Sequence, residues 1–180
     1  ARMYNVTSYA SCNNLASISL SKNGSVIAFA SISNNDGGTV LMFYRRPDNT
    51  TLWSFTEINR KTKGSEAGSV SVSADGSTVA IGAQKTAAIY VRSNYTSWVF
   101  QTELFTRVQK SSKGNPVSLS AGGNIVAIGI PGVYLAKGST LIYSLNSTGG
   151  WQLESELVGL DSGNIGNSLN QGQLVSLTAD

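Results

Sequence analysis

Apolar and polar positions alternate along the chain in short runs, and the runs recur. SISLSKNGSVIAFAS begins at Ser17, VSVSADGSTVAIGA at Val70 and VSLSAGGNIVAIGI at Val117. Each is a segment of period two, a glycine-bearing turn and a more continuously apolar segment. Period two places Val70 and Val72 on one face of a strand, with Ser71 and Ser73 on the other. The turns Asn23-Gly24, Asp75-Gly76 and Gly122-Gly123 tolerate positive φ at both central positions, as a two-residue type I′ hairpin demands. A third apolar run follows each time: TVLMFYRR (Thr39–Arg46), AAIYVRS (Ala87–Ser93) and STLIYSL (Ser139–Leu145). After a polar turn, a fourth run opens on tryptophan: WSFTEI at Trp53, WVFQTEL at Trp98 and WQLESEL at Trp151.

These patterns predict an all-β chain of tandem four-stranded antiparallel blades, β-propeller-like, with strands a, b, c and d in each. The organisation read from them is an arm or strand over 1–16 and three repeats within 17–160 (17–59, 69–107 and 117–160). A linker and an extra strand then occupy 161–180. Gly82 and Gly129 stand at the step where the first repeat has Phe29, and glycine inside a strand marks a bulge or a close backbone approach. Trp53, Trp98 and Trp151 are expected to anchor packing between neighbouring blades.

The recurring VSVSADGSTVAIGA, followed by a strand ending near an aromatic residue and then by W-x-x-x-x-E-L, resembles the FG-GAP-like repeats of extracellular β-propellers. GNSLNQGQLVSLTAD at the end is similar to the junction that opens a further repeat. The resemblance implies a propeller fold and, in integrin-type members, a calcium loop after strand a. The corresponding segments here are SKNGS, SADGS and SAGGN, with Asp75 their one carboxylate. Calcium takes 6–8 oxygen ligands, so hairpin turns without metal are expected there. The Phe-Gly pair is absent, and Ser168-Leu169 and Gly68-Ser69 stand near its place.

Three repeats fall short of the four to eight blades of most propellers. The last segment, Gln173, Leu174, Val175, Ser176, Leu177 and Thr178, reads as a strand a without its b, c and d. An unpaired strand exposes N–H and C=O groups that invite another chain. Three alternatives stay open: a piece of a larger propeller, pairing of the two chain ends (MYNVTSYA, Met3–Ala10, being the other), or donation of the strand to the next copy. Donation that does not close gives a filament.

Composition narrows the chemistry. The charged fraction is 13%, about half the usual share, and the net charge is +3. That charge, without clusters of bases among aromatics, does not suggest a nucleic-acid partner. No apolar run approaches the ~20 residues of a membrane-spanning helix, so no membrane insertion is expected. The chain starts at Ala1 without a leader, which reads as a mature or trimmed product. The 180 residues contain no histidine, which removes Ser-His-Asp and Cys-His arrangements. Glu154 and Glu156 are the closest carboxylate pair and read as a solvated strand face, and Asp75 reads as a turn former. The bases Arg60, Lys61 and Lys63, with Arg107, Lys110 and Lys113, recur in the linkers. Cys12, the single cysteine, is a buried thiol or a link to another chain. No catalytic residue, metal or cofactor is expected, and the chain is expected not to be an enzyme.

Asn-x-Ser/Thr triplets, acceptors for N-linked glycan in secreted proteins, begin at Asn49, Asn94 and Asn146. Each is expected in a c–d turn on the outer rim, just before the tryptophan. Asn5 and Asn23 also match, although Asn23 sits in a tight hairpin. The leading expectation is a secreted, extracellular or cell-surface structural or adhesive protein. Its copies assemble into a homo-oligomer or filament by strand complementation, and glycans decorate the rim. The alternative is a propeller module that binds a carbohydrate or protein ligand.

Overall fold

A computed structural model of the chain describes residues 14–32, 39–46, 49–59, 68–106, 114–131, 138–158 and 171–178. Every regular element among them is a strand, and no helix there is long and apolar enough to cross a membrane. The first sheet holds β1 (Asn14–Leu20), β2 (Val26–Ile32), β3 (Thr39–Arg46) and β4 (Asn49–Asn59). The second holds β5 (Ser69–Val72), β6 (Thr78–Gly82), β7 (Thr86–Arg92) and β8 (Trp98–Phe105). The third holds β9 (Val117–Leu119), β10 (Ile125–Ile130), β11 (Ser139–Leu145) and β12 (Trp151–Val158). Each sheet is an antiparallel meander with its strands in sequence order. The all-β expectation of four-stranded blades therefore holds.

The period-two pattern explains the packing. Val26, Ala28 and Ala30 of β2, with Val40 and Met42 of β3, form one buried face of the first sheet. Val70 and Val72 of β5, with Val79 and Ile81 of β6, pack onto that face in one cluster. Ala80, Ala87 and Ile89 on the far side of the second sheet pack against Val117, Leu119, Val126 and Ile128. The middle sheet is buried on both faces, which is why β6 reads as one continuous apolar run.

Three local expectations need correction. The a–b turns are not two-residue type I′ turns. Gly24, Gly76 and Gly123 donate their N–H to the carbonyls of Ser21, Ser73 and Ser120, three residues back, at 2.9, 3.0 and 2.9 Å. Among the glycines of these turns only those three have positive φ, at 66°, 73° and 71°, and Gly122 does not. The serine side chains explain the longer turn: their Oγ atoms accept the N–H of Val26, Thr78 and Ile125 at 3.0, 3.0 and 3.1 Å. Secondly, β4 begins at Asn49, four residues before Trp53, so Asn49 lies in a strand rather than in a c–d turn. Arg46 and Asn49 partner each other across the hairpin after a register shift, which leaves only two residues between them. Thirdly, Val26 pairs with Tyr44 as Thr78 does with Val91, which aligns Gly82 with Ala30 rather than with Phe29. The close approach at Gly82 is real, since an added Cβ would strike the Asn115 carbonyl.

Candidate functional site

The blades are joined along their innermost strands by serine hydroxyls. Ser17 and Ser19 of β1 accept the backbone N–H of Val70 and Val72 at 3.2 and 3.0 Å. Ser69 and Ser71 of β5 accept those of Val117 and Leu119 at 3.1 and 2.9 Å. Strand a has one edge in its own ladder and turns the other toward the previous blade, so its orphan N–H groups need these acceptors. The turns add a second line: Lys22 N–H donates to the Ala74 carbonyl and Ala74 N–H to that of Ala121, both at 2.9 Å. Sequence reading placed these serines on the polar face and missed the seam. Serine at every second position of all three a strands was the signal.

The seam continues into the final segment. Leu177 N–H donates to Ser118 Oγ of β9 at 2.9 Å, repeating the step from Ser19 to Val72 and from Ser71 to Leu119. Gln173, Leu174, Val175, Ser176, Leu177 and Thr178 thus sit beside their own third blade, at the a position of a fourth. These residues join no ladder among the described residues. Val175 and Leu177 are half-buried, whereas Leu174, Ser176 and Thr178 are exposed. Gly129 lies against the Gly172 carbonyl just before this segment, where an added Cβ would clash.

Some positions that are buried inside the stack are exposed at its two ends, although Ala127 and Thr140 at the third-blade end stay buried. Val70, Val72, Val117 and Leu119 are 4–7% exposed, whereas Ile18 and Leu20, at the same steps of the first blade, are 58% and 56% exposed. At the other end, Leu157 is 51% exposed, against 6% and 5% for Ile58 and Leu104. Leu157 pairs with Thr140 as Ile58 does with Val40 and Leu104 with Ala87.

The tryptophans lie toward the rim. Trp98 packs against the cluster between the first two blades, and its Nε1 is buried without a hydrogen-bond partner. Trp151 packs against the second cluster and donates to Gln101 Oε1 at 3.1 Å. Gln101 is available because the β7–β8 pairing skips it, and Glu154 is skipped in the same way between β11 and β12. Trp53 lies under the Arg45 guanidinium, 5.4 Å from its ring centroid.

The c–d turns of the second and third blades are each closed by a backbone bond, from Ser93 N–H to the Ser97 carbonyl and from Asn146 N–H to the Gly150 carbonyl at 3.0 and 2.8 Å, so Asn146 stands at the step of Ser93, one before that of Asn94. Asn94 Oδ1 accepts from Thr96 N–H at 3.0 Å and from its Oγ1 at 3.3 Å. Asn146 Oδ1 accepts from Thr148 N–H at 3.0 Å, from its Oγ1 at 2.7 Å and from Gly150 N–H at 2.8 Å. Beside Asn94 is an open recess of about 320 Å³ lined by Asp75, Gly76, Ser77, Arg92, Asn94 and Tyr95. The Arg92 guanidinium stands 4.9 Å from the Tyr95 ring centroid and 5.4 Å from that of Tyr44, and its Nη2 donates to the Tyr95 carbonyl at 2.7 Å. Burial pushes the Tyr44 hydroxyl's pKa up, partly offset by Arg92, so the ring stays neutral. Burial would also raise the Asp75 carboxyl. Hydrogen bonds from Ser73 Oγ and from Ser77 N–H and Oγ outweigh it and hold the carboxyl below its ordinary value.

No group of three or more potential metal-ligating side chains occurs among the described residues. Asn5, Cys12 and the linker bases Arg60, Lys61, Lys63, Arg107, Lys110 and Lys113 lie outside the described residues, as does the side chain of Asn49.

No described protein family matches the chain, and no curated protein matches it either. Solved structures do. Sqt1 of Saccharomyces cerevisiae superposes with a TM-score of 0.58 at 11% identity, over 82% of this chain and 36% of that one. A putative 6-phosphogluconolactonase from Bacteroides uniformis gives 0.59 at 13%, over 80% and 41%. The C-terminal WD40 domain of Sif2 gives 0.51 at 10%, over 82% and 38%. At these identities the likeness establishes the fold: three consecutive blades of a β-propeller. The chain spans less than half the length of these structures. The expectation that the chain is not an enzyme is corrected, because the same fold carries a protein described as a putative lactonase. A missing histidine excludes particular catalytic arrangements and leaves others untouched.

Proposed function

We propose that the chain is a β-propeller module, of FG-GAP-like type, that works outside the cell as a structural or adhesive element. It assembles head to tail with further copies of itself. The first-blade face of one copy covers the third-blade end of another, and the segment Val175–Thr178 complements the sheet it meets. The observation that carries this reading is the exposure of Ile18, Leu20 and Leu157, whose counterparts inside the stack are covered by a blade of the same repeat. What covers each inner face is known from the chain itself, so a second copy is the occupant whose chemistry already fits. Burying three such side chains contributes roughly 1.5–3 kcal/mol each, enough to drive association once two faces register. The repeated W-x-x-x-x-E-L and the glycine turns support the FG-GAP-like assignment.

Light scattering and electron microscopy of the purified chain test it. Regular multiples or filaments are expected. A monodisperse monomer at every concentration overturns it.

A further inference from the structure

We propose that Asn94 and Asn146 are attachment sites for N-linked glycan, and that the first sugar on Asn94 rests in the recess beside it. The inference rests on the extracellular part of the reading above and is independent of assembly. In both turns the third residue of the triplet supplies its N–H and its hydroxyl to the asparagine Oδ1. No described residue bonds to Nδ2 in either turn, and the Nδ2 of Asn146 lies beside Gly150, 3.2 Å from where a Cβ there would stand. Both sites stand at the surface on the same rim, away from the serine seam of the innermost strands.

Asn23-Gly-Ser is the internal contrast. Its Oδ1 accepts from Ser25 N–H at 2.9 Å, but the hydroxyl upon it is that of Ser21, at 3.0 Å, and not that of the triplet's own Ser25. Asn23 also lies in the turn whose neighbour, Lys22, is bonded to the next blade. A transferase would have to open a turn-to-turn contact to reach it. Asn94 and Asn146 need no such opening.

The step is a group transfer. The Asn Nδ2 forms a bond to the anomeric carbon of a lipid-linked oligosaccharide diphosphate. The bond from that carbon to the diphosphate oxygen breaks, the lipid diphosphate leaves, and the amide gives one proton to a base of the transferase. Once attached to Asn94, the sugar faces the Asp75 carboxylate, the Ser77 hydroxyl oxygen and the half-buried Tyr95 ring, two acceptors and an apolar surface that suit a hydroxylated ring. In the third blade Gly122 stands at the step of Asp75, Asn124 at that of Ser77 and Leu145 at that of Arg92, so these steps near Asn146 carry no charge. The two glycans therefore differ in mobility.

The full chain, secreted from eukaryotic cells, decides both parts. Peptide mapping is expected to find glycan on Asn94 and Asn146 and none on Asn23. Asn94→Gln and Asn146→Gln each lose one glycan mass. Bare asparagine at Asn94 or Asn146, or comparable occupancy at Asn23, overturns the assignment. On the folded protein a glycan amidase should release the Asn94 sugar about tenfold more slowly than the Asn146 sugar. That is the factor that one net hydrogen bond of about 1.4 kcal/mol supplies. Equal rates before unfolding overturn the recess. Occupancy is read alike on monomers and assemblies, so a chain that never assembles still shows whether these two asparagines carry sugar.

Discussion

At the residue scale the a–b turn is a small hydrogen-bonded device repeated three times with different side chains. In the second blade Asp75 Oδ1 accepts from Ser73 Oγ at 2.6 Å, Ser77 N–H at 3.0 Å and Ser77 Oγ at 2.9 Å. In the first blade Asn23 Oδ1 fills the same place with a neutral amide, accepting from Ser21 Oγ and Ser25 N–H. A carboxyl whose folded pKa is depressed contributes stability that is fully present above its unfolded pKa and lost as pH falls through the lowered folded value. Acid unfolding should therefore include a step below the ordinary aspartate value of 3.8 that belongs to Asp75. Asp75→Asn should remove that step while costing under about 1 kcal/mol at neutral pH, because the turn keeps its acceptor. Asp75→Ala should cost more, since three donors lose their partner. Thermal midpoints across pH 2–6 check this, and an unchanged acid limb in Asp75→Asn would refute it.

At the element scale, strand placement was legible because burial imposes period two where one face is covered and continuous apolarity where both are. TVLMFYRR and STLIYSL coincide with β3 and β11. What the pattern could not show is where polar side chains point when they bridge elements. Ser17, Ser19, Ser69 and Ser71 look like solvent-facing residues until the next blade places an N–H on each. Asn-Gly and Asp-Gly pairs likewise could not reveal the four-residue turn, because the deciding acceptor is a serine upstream. The strand glycines were readable as close approaches, though not their neighbours. Gly82→Ala should cost roughly 1–3 kcal/mol, because the obstructing atom is the Asn115 backbone carbonyl and cannot swing aside. Gly129→Ala meets the Gly172 carbonyl, which belongs to the terminal segment. It should release residues 173–178 and leave the three sheets intact. Hydrogen exchange distinguishes the two outcomes: global loss of protection for Gly82→Ala, and loss confined to the segment and to β9 and β10 for Gly129→Ala.

At the scale of the whole molecule, propeller blades are nearly interchangeable, so an uncovered end face has a known complement. Repetition made the fold readable, since three copies of one pattern specify one supersecondary unit. The open ends were not readable as faces, because Ile18 and Leu20 carry the same alternation as the buried Val70 and Val72. Only the absence of a neighbouring blade among the described residues exposes them. The two end faces are different halves of one blade-to-blade contact: Ile18 and Leu20 stand where Val70 and Val72 meet the preceding blade, and Leu157 where Ile58 and Leu104 meet the following one, so two copies match head to tail. Ile18→Arg with Leu20→Arg blocks the head, and Leu157→Arg with Ile142→Arg blocks the tail end. Each variant alone should be monomeric and folded, because Ile18, Leu20 and Leu157 are more than half exposed and Ile142 is only partly buried. Mixed in equal amounts, they should form a one-to-one dimer through the one intact head and the one intact tail. Head-to-head association predicts no heterodimer, since one of the two heads is always blocked. Sedimentation of the mixture against each variant alone therefore separates polarity from mere stickiness.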